Sequence, residues 1–324
     1  GGRLFVMCQG APITVHDARG KELPILRTLP FTGGFFIANF TLACAGGNDR
    51  SGESSTAGST ELLAACGGGL GGDPRSPCAK QVRVWSVENG QEIQLRTLEF
   101  DAIADSVAIR PDARQLAVGL RDGMVRVFST ATWQEVLELR AHTVPSDGGV
   151  AATADPGVYA LQFCPDGTKL AAGRGVLEDF TVYDMSATAT VVSRFLQPKS
   201  GGFGLQFSPS GDMLVTSGGM PGRAGVRMLQ QPHCEVDITM AISPSDDGSI
   251  PSPPAIAYTD IDGRSGLIAL AAGSCVEVRS STGKLLAGKD FGVAIGTPSS
   301  NSAVQLQPGA ALVACILMPT GGGR

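Results

Sequence analysis

The chain of 324 residues is long enough for one or two domains, with 43% hydrophobic and only 17% charged residues. This balance excludes a disordered chain, which needs low hydrophobicity and high net charge. The net charge is −5 without a basic stripe, and no apolar run approaches the ~18 residues of a membrane span. The sequence therefore predicts neither nucleic-acid binding nor a membrane span.

Short alternating strands and frequent turns begin at the N-terminus. The 44 glycines and 20 prolines favour an all-β protein with many turns. Residues 1–30 predict three strands in an antiparallel meander, and residues 35–99 predict four. The second unit contains two long connections, 45–60 and 67–80. Its third strand, Gln81–Val87, has an alternation that returns along the chain.

The following units repeat one order of strand, turn, strand, strand and strand. The third unit, 104–140, contains the turn Arg110-Pro111-Asp112-Ala113 between its first two strands. After a connection at 143–156, the fourth and fifth units repeat this order over 157–197 and 202–241. A further connection, 243–254, precedes the sixth unit. The sixth and seventh units cover residues 255–289 and 290–318.

This self-similarity defines a repeat and a fold class. We place Trp85, Phe128, Tyr183, Leu229 and Arg279 at one equivalent third-strand position, in steps of roughly 43 to 55 residues. Propeller blades have a similar period, and face-to-face packing buries both faces of each sheet. The sequence therefore predicts a single β-propeller domain over residues 1–324, built from four-stranded antiparallel blades. The first unit lacks its opening strand and the last lacks its closing pair, which favours seven blades with incomplete ends, and six as the alternative.

Several motifs resemble those of the WD40-repeat family across nearly the whole chain. They are Phe163-Cys164-Pro165-Asp166-Gly167, Phe207-Ser208-Pro209-Ser210-Gly211, Asp122-Gly123 before Val125-Arg126-Val127-Phe128, and Trp85 at the family's tryptophan position. The likeness is divergent, because no unit contains both the Gly-His and the Trp-Asp dipeptides. Only Ala141-His142 is similar to the first, and only Tyr183-Asp184 and His16-Asp17 are similar to the second.

The resemblance implies a non-enzymatic scaffold for protein–protein interaction, and we expect one subunit of a larger complex. Its loops would contact other proteins, with 45–60, 67–80, 143–156 and 243–254 as the candidate regions. The eight cysteines form no CxxC pair, which favours reduced thiols and an intracellular, cytoplasmic protein. Arg83 and Arg126 recur at one strand position and are expected to form structural ion pairs.

No catalytic, cofactor-binding or metal-binding residues emerge from the sequence. His16, His142 and His233 fall in different units with no shared spacing, and Asp246-Asp247 lies in a proline- and serine-rich connection. Gly67–Gly72 lacks the Gly-Lys-Ser/Thr and following helix of a phosphate-binding loop. This Gly-rich segment with Lys80 beyond it is similar to the catalytic loop of Sec12-type exchange factors. An exchange factor for a small GTPase is therefore the alternative function.

Overall fold

The computed structural model describes residues 3–6, 14–17, 25–28, 39–45, 60–68, 75–88, 91–141, 156–174, 179–186, 190–196, 204–217, 223–240, 255–260, 266–272, 275–280, 282–290, 304–306 and 313–315. These residues form twenty-five strands: β1 (Arg3–Val6), β2 (Thr14–Asp17), β3 (Ile25–Thr28), β4 (Asn39–Ala45), β5 (Thr60–Cys66), β6 (Gln81–Glu88), β7 (Gln91–Glu99), β8 (Ala104–Ile109), β9 (Gln115–Leu120), β10 (Met124–Ser129), β11 (Glu135–Arg140), β12 (Val158–Phe163), β13 (Lys169–Arg174), β14 (Asp179–Asp184), β15 (Thr190–Leu196), β16 (Gly204–Phe207), β17 (Met213–Ser217), β18 (Arg223–Met228), β19 (Gln231–Thr239), β20 (Ala255–Asp260), β21 (Gly266–Ala272), β22 (Cys275–Ser280), β23 (Leu285–Asp290), β24 (Val304–Leu306) and β25 (Val313–Cys315).

Among the described residues these strands form seven antiparallel sheets in chain order. Sheet 1 contains β1 to β3, sheets 2 to 6 contain four strands each, and sheet 7 contains β24 and β25. Within every sheet each strand pairs with the next one in the chain, so each is a meander. The prediction of an all-β chain with four-stranded antiparallel sheets is confirmed. A short 3-10 helix, Pro77–Lys80, lies between β5 and β6, where the sequence predicted only a loop.

The first strands of successive sheets contact one another, which places β4, β8, β12, β16, β20 and β24 in a row. Both ends of neighbouring first strands are aligned. At the start of β8, the Ser106 hydroxyl donates to the Val158 carbonyl of β12 over 2.7 Å. Beyond the other end of β8, Arg110 approaches Gly167 in the turn that follows β12. Sheets 3 and 4 are therefore stacked in the same orientation.

Apolar side chains fill the space between consecutive sheets. Strand residues alternate between the two faces of a sheet, so each sheet contributes to two different clusters. Val127 of sheet 3 packs with Leu161 of sheet 4, and Phe180 of sheet 4 packs with Leu214 of sheet 5. Similar clusters join sheets 2 and 3 and sheets 5 and 6. Each fully buried Leu, Val or Phe contributes about 1.5–3 kcal/mol to this packing.

One position of the third strand holds an aromatic residue in three sheets and an arginine in two. Strand pairing places it opposite a leucine or isoleucine of the second strand. The residues at this position are Trp85, Phe128, Tyr183, Arg227 and Arg279. The prediction of Leu229 for sheet 5 is wrong by two residues, because Arg227 pairs with Leu214 as Tyr183 pairs with Leu170. The Arg227 side chain is completely buried, which an alternation pattern does not reveal for an arginine.

The side chain at this position connects its sheet to the preceding one. The Tyr183 hydroxyl donates to the Arg140 carbonyl of sheet 3 over 2.9 Å. The guanidinium of Arg279 donates to the Thr239 carbonyl of sheet 5 over 3.0 Å. Arg140 and Thr239 occupy equivalent places at the end of a fourth strand. An arginine therefore makes the same inter-sheet hydrogen bond in sheet 6 that a tyrosine makes in sheet 4.

Candidate interaction site

Two first strands contain a β-bulge at the same place. In β8 the pairing with β9 skips Asp105, and in β12 the pairing with β13 skips Tyr159. A bulge adds one unpaired residue and turns its side chain away from the regular alternation. Asp105 and Tyr159 therefore lie at equivalent positions near the start of two neighbouring first strands.

Arg121 joins these two bulged residues. Its guanidinium donates to both carboxylate oxygens of Asp105, over 2.7 and 3.0 Å, and lies 5.9 Å from the centre of the Tyr159 ring. The Asp105 side chain is completely buried, whereas 27% of the Arg121 side chain is exposed. A two-point hydrogen bond to a carboxylate and contact with an aromatic ring together fix a guanidinium in one orientation. The exposed part of Arg121 is thus a positioned positive charge.

Close backbone approach supports this arrangement. A Cβ atom added to Gly119 would lie 2.7 Å from Cγ1 of Val158 and 2.8 Å from its carbonyl oxygen. Gly68, which follows β5, donates its N–H to the Ala104 carbonyl over 3.0 Å, and a Cβ there would clash with that carbonyl. Glycine at these two positions lets sheets 2, 3 and 4 meet closely where Asp105 lies.

Several connections begin or end at this end of the sheets. The segment 67–80 starts beside Ala104 and finishes at Lys80, whose carbonyl accepts the Phe100 N–H over 3.0 Å. Residues 143–156 and 243–254 lead into β12 and β20, so their attachment points lie at the starts of first strands. The predicted contact segment 45–60 instead follows the end of β4. Apart from the residues at their borders and Arg75–Lys80, these segments lie outside the described residues.

The opposite end of the sheets has a recurring hydrogen-bonded turn after the first strand. In sheet 4 the Cys164 thiol donates to Asp166 over 2.7 Å, and Thr168 donates to the same carboxylate. In sheet 5 Ser208 takes the place of Cys164 and donates to Asp212 over 2.9 Å. Burial, reinforced by the contact with Asp166, raises the pKa of the Cys164 thiol. Cys164 therefore acts as a structural hydrogen-bonding residue in the position of a serine.

The turn in sheet 4 predicts an acid-sensitive contribution to stability. Burial of the Asp166 carboxyl opposes ionisation, but hydrogen bonds from Cys164 and Thr168 outweigh it and lower its pKa to about 2. Because the folded-state pKa lies below the unfolded value, the contribution is present above about pH 4 and is lost as pH falls toward 2. We expect Asp166→Asn to flatten the pH dependence of the free energy of urea unfolding in this range.

The matched control for this experiment is Cys164→Ser, which keeps a hydrogen-bond donor at the position that Ser208 occupies in sheet 5. It should retain the pH dependence of the wild-type chain. An Asp166→Asn variant whose stability falls with acid as steeply as that of the wild type would contradict the role assigned to this carboxylate.

The two histidines whose positions are described lie in other sheets than the bulged residues. His16 is in β2 and His233 in β19, while His142 and Asp246-Asp247 lie outside the described residues. Among the described residues no group of three or more His, Cys, Asp or Glu side chains is placed to hold a metal. Arg126 forms the expected ion pairs, 3.5 Å from Glu135 and 3.6 Å from Glu138.

Sequence reasoning did not find Asp105, Arg121 or Tyr159. Two signals could have indicated them: a carboxylate within an otherwise apolar strand, and an arginine directly before the Asp122-Gly123 turn of the same hairpin. The four cysteines whose surroundings are described are buried and form no disulfide: Cys66, Cys78, Cys164 and Cys275.

Comparison with known proteins finds no protein-family model and no characterised protein that matches this chain. In the part of the chain that the structure describes, no helix has the length and apolar character needed to cross a membrane.

Proposed function

We propose that this chain is a divergent WD40-like β-propeller that serves as a non-enzymatic scaffold for protein–protein interaction within a larger complex. Consecutive four-stranded sheets with their first strands in a row support this fold. Seven blades fit the three strands of sheet 1 and the two of sheet 7, and six blades are the alternative. An intracellular, cytoplasmic location belongs to the same proposal.

The observation that carries this proposal is the rigid end at which Arg121 is held by Asp105 and Tyr159. Packed strands and hydrogen bonds hold this end before any partner arrives, which reduces the ordering cost of association. The attachment points of segments 67–80, 143–156 and 243–254 lie at the same end of their sheets. Partner contacts would combine these variable segments with the fixed charge of Arg121.

Cross-linking in a native extract tests this proposal when variants of this chain carry substitutions at only one end of the sheets. Lys80 and Arg75 are exposed at the proposed contact end, and Lys284 is exposed in the turn before β23 at the opposite end. We expect Lys80→Glu with Arg75→Glu to remove specific cross-linked partners, and Lys284→Glu to retain them. Partners that persist with the first variant, or a wild-type chain that recovers none, would reject the proposal.

A second candidate function is nucleotide exchange on a small GTPase. It is supported by the two backbone hydrogen bonds, at Gly68 and at Lys80, that hold the two ends of segment 67–80, while Lys80 is exposed. An exchange factor should accelerate nucleotide release from a small GTPase, and Lys80→Ala should reduce the rate at least about tenfold, as loss of a positioned charge does. Arg75→Ala is the matched control. Equal release rates with and without the chain would eliminate this candidate.

A further inference from the structure

Sheet 3 has two turns whose backbone conformation is unusual for their residues. Ala113 and Trp133 have φ values of +55° and +58°, in the left-handed region that L-residues seldom adopt. Ala113 corresponds to Gly167 and Gly211 in the turns of sheets 4 and 5, which have the same hydrogen bond across the turn. In the hairpin loop of sheet 6, which is one residue shorter, Gly283 takes the place of Trp133: each directly precedes the residue whose carbonyl accepts the N–H of the last residue of the third strand.

The two turns form one corner of the sheet. Thr130, in the loop that contains Trp133, donates its N–H to the Arg114 carbonyl over 3.1 Å. The Thr130 hydroxyl donates to the Ala113 carbonyl over 2.6 Å. These bonds hold both strained residues in place, and strain that is maintained in this way is a reason to look for a function.

Trp133 packs one side against the apolar cluster between sheets 2 and 3 and is partly exposed. Ala131 in the same loop is exposed, and Val136, the bulged residue of β11, is 52% exposed. A partly exposed tryptophan that packs against the core is the type of residue that dominates protein–protein interfaces. Glycine would avoid the strain at this position but would provide no such anchor.

The charges beside this corner indicate the chemistry of a partner. Glu135 and Glu138 are both paired with Arg126, and Asp112 lies 3.6 Å from Arg110. Arg114 is exposed, and no carboxylate of the described residues lies within ion-pair distance of its guanidinium. An acidic group on a partner would complement Arg114.

We propose that Trp133, Val136 and Arg114 form a second docking surface, at the end of sheet 3 opposite Arg121. Its occupant is a protein segment with a large apolar side chain next to an acidic one. Trp133 would pack against the apolar side chain, and Arg114 would bind the acidic side chain. This surface does not depend on the contact end proposed above, because the two lie at opposite ends of sheet 3.

Random peptides displayed on phage provide a defined probe for this surface. Peptides selected on the wild-type chain should contain Asp or Glu near Leu, Phe or Met. We expect Trp133→Gly to weaken binding of a selected synthetic peptide at least about thirtyfold, as loss of an interface tryptophan does. Because Gly283 occupies the equivalent position, this variant should fold, and its Tm should not fall below that of the wild type by more than a few degrees.

Two further variants separate recognition from stability. Ala113→Gly relieves strain without removing the anchor and should retain peptide binding. Arg114→Glu should lose the acidic peptide and bind the same peptide with Lys in place of Asp or Glu. The chain contains two tryptophans, and Trp85 is buried, so the fluorescence change lost in Trp133→Gly reports contact at Trp133. Failure to select peptides, or peptides that bind Trp133→Gly and Arg114→Glu as tightly as the wild type, would overturn the proposal.

Discussion

Arg121→Met is expected to reduce the free energy of unfolding by about 3 kcal/mol, the lower end of the range for breaking a buried ion pair. The substitution removes a two-point hydrogen bond from a carboxylate that is completely buried. Methionine fills a similar volume but supplies neither charge nor donor, so Asp105 must remain desolvated without its cation. Urea unfolding followed by circular dichroism measures the loss.

The Asp105–Arg121 ion pair predicts that its two single substitutions reduce stability by different amounts. Asp105→Asn should cost less, about 1–2 kcal/mol, because the 27% exposed guanidinium of Arg121 can still reach solvent. The double variant, which combines Asp105→Asn with Arg121→Met, should be more stable than the sum of the two single losses predicts, because it leaves no unpaired buried charge. Equal losses from the two single variants would show that burial of Asp105 does not control the energy of this pair.

Loss of Arg121 should also affect function. In the proposed scaffold Arg121 is the fixed charge at the contact end, so Arg121→Met should lose partners that Lys284→Glu retains. Asp105→Asn keeps Arg121 and removes only the charged carboxylate that holds its guanidinium. We expect it to weaken partner binding less than Arg121→Met does, because the guanidinium remains present but is less well oriented.

The sequence patterns predicted the strands well because their signals are local. Alternation and the proline-containing turns at 110–113 and 164–167 indicated the strands of sheets 3 and 4. The patterns predicted strands at 135–140 and 158–163, and β11 (Glu135–Arg140) and β12 (Val158–Phe163) have these bounds. The bulges at Asp105 and Tyr159 were not predicted, because one extra residue in a six-residue strand hardly changes its alternation. Arg227 was missed for another reason: its burial depends on the neighbouring sheets and not on its own segment.

The strained corner is a feature that local sequence rules do not predict. A tryptophan or alanine in a tight turn does not predict a left-handed conformation, since glycine or asparagine is the usual residue there. Only comparison of equivalent turns identifies Trp133 and Ala113 as replacements for glycine. Departures of this kind from a repeat are the positions at which a function is expected.

Gly119→Ala is the second substitution for which we expect a large effect, about 2–3 kcal/mol, in the range found for overpacked cores. A methyl group there would lie 2.8 Å from the Val158 carbonyl oxygen and 2.7 Å from its Cγ1. The methyl would also press on the Ser106 hydroxyl, which donates to that carbonyl. Because backbone atoms form part of the obstruction, β8 and β12 would have to separate. Thermal and urea unfolding measure the loss.

Two other glycines separate packing from backbone conformation. Gly211 has φ +71° and open space around it, with only Cys164 Cβ at 3.6 Å, so Gly211→Ala should cost about 1 kcal/mol, from backbone strain alone. Gly167 has the same φ, and an added methyl group would lie 2.7 Å from the movable Arg110 side chain. The loss of stability on Gly167→Ala should therefore be intermediate between those of the other two substitutions. If Gly211→Ala proved as damaging as Gly119→Ala, close contact between sheets 3 and 4 would not be the controlling interaction. The predicted order of stability losses instead identifies the missing side chain at Gly119 as the feature that lets β8 and β12 pack closely. This close packing places Asp105 and Arg121 beside Tyr159.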